Sequence, residues 1–317
     1  NRHGGVENLE AVALLQTMNK LVHEKFPGAV TIAEESTAWP MVSRPTYSGG
    51  LGFTFKWNMG WMNDMLVYFS KDPVHRKYHQ NQITFGLYYA FTENFILVVS
   101  HDEVVHGKKS LVEKMPGDRW NKFANVRAFF GFMFAHPGKK LMFQGCEFGM
   151  HWEWDAQQSI NWHILEKEDD KAFHRGLQKM VSDFNRVYVK EPAFWEMDFE
   201  PPGFSWIDFS DANNSLVSFM RMGKRSEDLL VAICNFTPVL RPNYRIGVPR
   251  DGYYREILNT DAKDYGGAGN GNMGGKSAEP IPCHNQPRSI DCTIPSLSTI
   301  VLKWEGKREN PTPEAIL

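Results

Sequence analysis

At 317 residues with 42% apolar side chains, the sequence can bury a large core and has room for two domains. Its 35 lysines and arginines face 37 acidic residues, a net charge of −2, which excludes an electrostatic partnership with nucleic acid or an anionic membrane. No apolar stretch reaches the roughly 18 residues of a membrane-spanning helix. Cys146, Cys234, Cys283 and Cys292 contain no C-x-x-C pair and fit a reducing, cytoplasmic compartment better than a disulfide scaffold. The aromatic share is 13%, with 10 tryptophans, and flat rings with a few polar groups are a common way to hold a neutral polyhydroxylated ligand. Filling a large core accounts for most of the same rings.

Along the chain, helix-like and strand-like segments alternate as far as residue 190. Val6 to Lys25 carries Leu9, Val12, Ala13, Leu15 and Met18 near a 3.6-residue period, and Pro27-Gly28 ends it. Ala29 to Ala33 is then a short apolar run that stops at Glu34-Glu35. Phe55 to Phe69 has Trp57, Trp61, Met65 and Tyr68 at helical spacing. A second apolar run, Asn94 to Ser100, stops at His101-Asp102-Glu103. Trp120 to Ala135 reads as a helix, Lys140 to Gln144 as a third run ending at Gly145-Cys146-Glu147, and Phe173 to Tyr188 as a further helix. Short, wholly apolar runs are the signature of strands buried on both faces, and a carboxylate at each end places polar chemistry at the mouth of a parallel barrel.

Beyond Pro192 the pattern changes to short alternating segments between Pro, Gly, Asn and Asp turns, among them Leu216 to Met220, Leu229 to Cys234 and Thr299 to Lys303, which predict an all-β module. The glycine-rich stretch 265–275 has neither a buried strand before it nor a helix after it, and reads as a long flexible loop rather than a phosphate cradle. Proline-containing residues 307–317 read as a flexible tail.

Glu34 and Glu35 are adjacent on extended backbone, so at most one points into the mouth. That one is a candidate general acid, since a carboxyl half-sheltered by aromatic walls keeps its proton near neutral pH; a helix cap or a surface pair is the alternative. His101 and Asp102 place a donor and a fixed negative charge against one bound group. A metal site is the chemical rival, but His101-Asp102-Glu103-Val104-Val105-His106 is not H-E-x-x-H and is followed by Lys108 and Lys109. No G-x-S-x-G elbow occurs. Glu147 either lines the mouth or caps the next turn, and Trp39, Trp57 and Trp61 are sugar-stacking faces or packing residues.

The runs Ala33-Glu34-Glu35-Ser36-Thr37, Ser100-His101-Asp102-Glu103-Val104-Val105-His106-Gly107-Lys108-Lys109-Ser110, Gly50-Leu51-Gly52-Phe53 with Lys56-Trp57-Asn58, and Asn235-Phe236-Thr237-Pro238 with Glu256-Ile257-Leu258-Asn259-Thr260-Asp261 resemble the glycogen (1,4-α-glucan) branching enzymes of the α-amylase-like glycoside hydrolase class. The resemblance implies an α/β plus all-β chain, with the C-terminal half of a (β/α)8 TIM barrel in 1–190 and a β-sandwich in 191–306. It implies that Glu34 is the general acid/base and that His101 and Asp102 clamp the sugar at the cleavage point; Glu35, Trp57, Trp39 and Glu147 are further candidates for lining the substrate site. The partner it implies is an α-glucan such as amylose, amylopectin or glycogen, with no cofactor or metal and a monomeric state.

One departure stands out. The family's nucleophile is an Asp in a Gly-x-Arg-x-Asp run on the strand before Glu34, and no such run occurs here. The resemblance places that strand, with the first half of the barrel, ahead of Asn1. Two other readings stay open: a non-catalytic glucan-binding fragment without the nucleophile, and an amylase-like hydrolase.

Overall fold

The computed structural model describes residues 1–167 and 171–306; the tail expected at 307–317 lies outside them. Four parallel strands form one sheet in sequence order: β1 (Ile32–Ala33), β2 (Phe55–Trp57), β3 (Phe95–Val99) and β4 (Lys139–Met142). Ala33 lies opposite Lys56, Lys56 opposite Phe95, and Val99 opposite Met142. Of these four strands only β3 is buried along its whole length, with helix packing over it as well as a strand on each side. The outer strands are less covered, with Ile32 43% exposed and β4 half-buried throughout.

Helix α1 (Leu9–Lys25) precedes β1 and is capped by the Asn8 side chain, which accepts from the Ala11 amide. Helix α2 (Met59–Ser70) is capped by Asn58, α3 (Arg119–Ala135) by Asp118, and α4 (Lys171–Lys190) closes this part of the chain. The helix expected from Phe55 begins only at Met59. Phe55, Lys56 and Trp57 instead form β2, because their backbone completes the ladder between β1 and β3. Lys56 in the middle of so short a run concealed the strand.

The second part has a six-stranded antiparallel sheet in the order β10-β9-β12-β7-β6-β5, faced by the pair β11-β8. These are β5 (Phe204–Asp208), β6 (Leu216–Met222), β7 (Leu229–Asn235), β8 (Arg241–Val248), β9 (Tyr253–Asn259), β10 (Gly275–Ser277), β11 (Arg288–Ile294) and β12 (Ser298–Trp304). Strand alternation divides β7 between two cores. Leu229, Val231 and Ile233 meet Ile246, Val248, Ile290 and Ile294 inside the sandwich. Leu230, Ala232 and Cys234 face the other way and join the main core with Phe129, Phe130 and Phe132 of α3. At Gly131 the helix comes so close to β12 that a Cβ would stand 2.6 Å from that of Thr299, so a side chain there would have to push the sheet away.

The glycine-rich stretch departs from the expected flexible loop. Asp261 accepts from the amides of Ala268 and Asn270, and Asn272 accepts from Thr293 and donates to Glu256, so the loop is pinned to the sandwich.

The two parts are fastened by Arg221 of β6 and Asp198, both with fully buried side chains and 2.8 Å apart. Arg221 also donates to the carbonyls of Ala135, Phe194 and Gly203, and Asp198 accepts from Lys139, Tyr188 and the Gly138 amide. Burial alone would raise the Asp198 carboxyl, but the charges of Arg221, Lys140 and Lys139 outweigh it and hold the carboxyl below the usual range. Since the folded carboxyl lies below its unfolded value of about 3.9, its contribution is complete above about pH 4 and is lost as pH falls through the folded value. Asp198→Ala leaves a buried guanidinium unpaired and is expected to destabilise the protein by roughly 3–5 kcal/mol at neutral pH. Urea unfolding at pH 7 and at successively lower pH tests this; the gap between the two proteins narrows in acid.

Candidate active site

The site is assembled on the ends of β1, β3 and β4. After Ala33 the chain leaves β1 with Glu34 exposed and Glu35 half-buried. Glu35 does not project freely toward a substrate. Its carboxylate accepts from Lys56 Nζ at 2.8 Å and from the Thr37 amide at 2.7 Å. Burial raises the Glu35 carboxyl, and the hydrogen bonds from Lys56 and Thr37 more than reverse this, so that it lies below its ordinary value. Lys56 in turn donates to the carbonyls of Thr37 and Trp39. Glu35 thus stands in an internal ion pair with Lys56.

Glu35, Trp39, Lys56, Trp57, Tyr89 and Glu93 border a hollow of about 590 Å³. Trp39 leans on Ala33, Val42 and Leu51, and Trp57 on the main core, each keeping part of its ring accessible. Trp61, a candidate stacking face in the sequence, is only 1% exposed and packs against Phe129, so it is a core residue. Glu93 is buried and accepts from the Val42 and Ser43 amides and from the Ser43 hydroxyl, which pins the segment between β1 and β2.

At the end of β3, His101 to Glu103 form one short helical turn after the buried Ser100. His101 Nε2 and Asp102 Oδ1 are 3.0 Å apart and 44% and 48% exposed, an open pair able to present a donor and an acceptor to neighbouring hydroxyls. The imidazole stands in a corner made by Phe143 and Trp154, which meet edge to face. His101, Asp102, His106, Trp152, Glu153 and Trp154 border a second hollow of about 860 Å³. Glu153 accepts from the amides of Gly107 and Lys109, at 2.9 and 2.6 Å, and these bonds hold its carboxyl below the ordinary range. His106 and Lys109 take left-handed backbone, and Glu153 supplies the partner that the exposed amides of Gly107 and Lys109 need. Sequence reasoning missed both Glu93 and Glu153, because each braces a segment more than 40 residues away.

At the end of β4, Glu147 accepts from the Gly145 amide at 2.7 Å and lies outside both hollows. It braces the turn at Gly145. Glu34 also borders neither hollow, and its exposed carboxyl lacks the aromatic shelter expected of a general acid. The structure thus brings His101 with Asp102, and Glu35 with Trp39 and Trp57, into two separate hollows. Besides Asp102, the aspartates Asp64 and Asp72 border neither hollow. Asp64 sits on α2, where burial raises its carboxyl, and Asp72 caps the short helix Pro73–Arg76. No group of three or more His, Cys, Asp or Glu among the described residues is arranged to hold a metal ion.

A parallel barrel-type sheet with chemistry on its strand ends, followed by an antiparallel sandwich, defines an α-amylase-type architecture. Residues 206–305 match the family model of the alpha amylase C-terminal all-beta domain. The α-amylase from H. orenii superimposes with a TM-score of 0.60 over 94% of this chain and 58% of its own, at 14% identity; an Anoxybacillus α-amylase gives 0.62 over 94% and 57%, at 12%. At such identities the likeness is one of fold. In sequence, the chain is similar to 1,4-alpha-glucan branching enzyme GlgB: 59% identical to that of Aquifex aeolicus over 96% of this chain and 48% of the relative, 55% to that of Rubrobacter xylanophilus over 96% and 41%, and 54% to that of Synechococcus elongatus over 98% and 40%. The chain spans less than half the length of these curated relatives and corresponds to their C-terminal part.

The Glu153 brace gives a direct test. Glu153→Gln turns one of the two accepting oxygens into a donor and takes the charge from the other, so one bond is lost and one weakened, and hydrogen exchange at the Gly107 or Lys109 amide is expected to quicken about tenfold while the β3 amides keep their protection. Unchanged exchange at both amides would rule out the brace.

Proposed function

We propose that this chain supplies the acid/base half of a 1,4-α-glucan branching centre and its C-terminal sandwich, dividing near residue 190. The observation that carries the reading is the 59% identity to a branching enzyme over 306 of 317 residues, a span that necessarily includes both the Glu34 and the His101-Asp102 strand ends. The substrate is an α-glucan, consistent with balanced charge and accessible tryptophans beside both hollows. Four free thiols support a cytoplasmic setting in glycogen synthesis.

In this reading the nucleophilic aspartate belongs to residues outside this chain. It attacks the anomeric carbon while Glu34 protonates the departing glycosidic oxygen, and a covalent glucosyl-enzyme forms. Glu34, now a carboxylate, takes the proton from the 6-hydroxyl of an acceptor glucan, whose oxygen displaces the enzyme and closes an α-1,6 branch. Net retention requires the two carboxyl groups to stand about 5–5.5 Å apart in the assembled site. His101 and Asp102 hold adjacent hydroxyls of the donor sugar, and Trp39 and Trp57 offer ring faces. Trp39, Trp57 and Glu35 border one hollow, so Glu35 acts by shaping the wall through Lys56.

Glu34→Gln in the full-length protein is expected to lower turnover of amylose by about 10²- to 10⁴-fold while glucan affinity is kept. Turnover is read from the shift in iodine colour, with reducing sugar measured in parallel. Near-normal turnover in that variant overturns the assignment of Glu34, and reducing sugar accumulating in place of branches overturns the transferase reading in favour of a hydrolase.

A further inference from the structure

We propose that Lys56 is a positioning residue for the acid/base carboxylate: buried between β1 and β3, its ammonium gathers Glu35, Thr37 and Trp39 and thereby sets the direction in which Glu34 leaves β1. The inference rests on the reading of Glu34 as the acid/base group. An ammonium has three hydrogens, and Lys56 Nζ has three acceptors, at 2.8 Å from Glu35 Oε2, 3.3 Å from the Thr37 carbonyl and 3.4 Å from the Trp39 carbonyl. The lysine side chain is only 8% exposed, and Glu35 is 25% exposed. Solvent therefore does little to replace a lost partner, and the pair is held in one arrangement.

The geometry converts this clasp into control of Glu34. Ala33 is locked in the ladder directly opposite Lys56. Glu35 is locked one residue past Glu34, by the same lysine through its side chain and by the Thr37 amide through a tight turn. The Thr37 hydroxyl then accepts from the Trp39 amide and carries the turn onward. Glu34 is the residue between two fixed points, so its Cα–Cβ direction is determined although its own side chain is open to solvent. A shift of about 1 Å in a catalytic group is enough to cost on the order of 10²-fold in rate.

The test uses the full-length protein with Lys56→Met, Glu35→Gln and the two combined, and reads kcat, KM and the melting temperature for each. Lys56→Met keeps the volume and leaves the half-buried Glu35 carboxylate without its counter-charge, so it is expected to melt lower; the combined variant carries no unpaired charge and is expected to melt within a few degrees of the parent. Because the two residues form one unit, kcat is expected to fall by the same factor, about 10- to 100-fold, in all three variants, with KM changed less than threefold. Lys56→Arg keeps the charge but not the three-pronged geometry, and is expected to recover stability and only part of kcat. Recovery of kcat together with the melting temperature in the combined variant would make Lys56 a stabilising residue alone and overturn the proposal. Losses that multiply, or a rise in KM at constant kcat, would overturn it as well. If Glu34→Gln turns over normally, the functional reading and this inference fall together; if Glu34→Gln is inactive while Lys56→Met turns over normally, only the inference falls.

Discussion

The ion pair between Arg221 and Asp198 is the constraint on which the remaining structure depends. Two charges removed from water cost several kcal/mol each, and they persist only where every donor and lone pair is matched. Here the guanidinium reaches the last carbonyl of α3 at Ala135, the carbonyls of Phe194 and Gly203, and the Asp198 carboxylate. Asp198 in turn holds the start of β4 through Gly138 and Lys139. One hub therefore sets where α3 ends, where β4 begins, and how β6 lies against both.

The same logic recurs at smaller scale around the site. Lys56, Glu93 and Glu153 are each a buried or half-buried charge whose partners are mostly backbone groups of a loop. Loops at the end of a parallel sheet have no ladder to satisfy their amides and carbonyls, so side-chain charges take over that task. The exposed pair His101 and Asp102 and the exposed Glu34 are left open because these braces occupy their neighbours.

Much of this was legible in the sequence where the signal was local. Short apolar runs ending at carboxylates located β1, β3 and β4, and helical periodicity located α1, α3 and α4. The change to alternating segments after Pro192 located the sandwich, although the pinned loop before β10 read as flexible because its anchors at Asp261 and Asn272 hold through hydrogen bonds rather than hydrophobic pattern. Lys56 hid β2, since a lysine inside a three-residue strand breaks the apolar signature that identifies buried strands. The sequence could not tell lining from bracing at Glu35 and Glu147, because a carboxylate at a strand end has the same letter whether it faces a substrate, a lysine or a backbone amide. Trp57 and Trp61 sit at helical spacing in the sequence, but Trp57 lies on β2 beside a hollow while Trp61 lies on α2 and is turned into the core against Phe129 of α3.

Strand β7 is buried on both sides, one towards the sandwich interior and the other towards α3. The sandwich is therefore not a module that can be exchanged at its own first residue. A chimera that swaps it between relatives would keep the β7–β12 face but meet a foreign helix in place of Phe129, Phe132 and Gly131, so the smallest portable unit begins ahead of Arg119 and takes β4 and α4 with it.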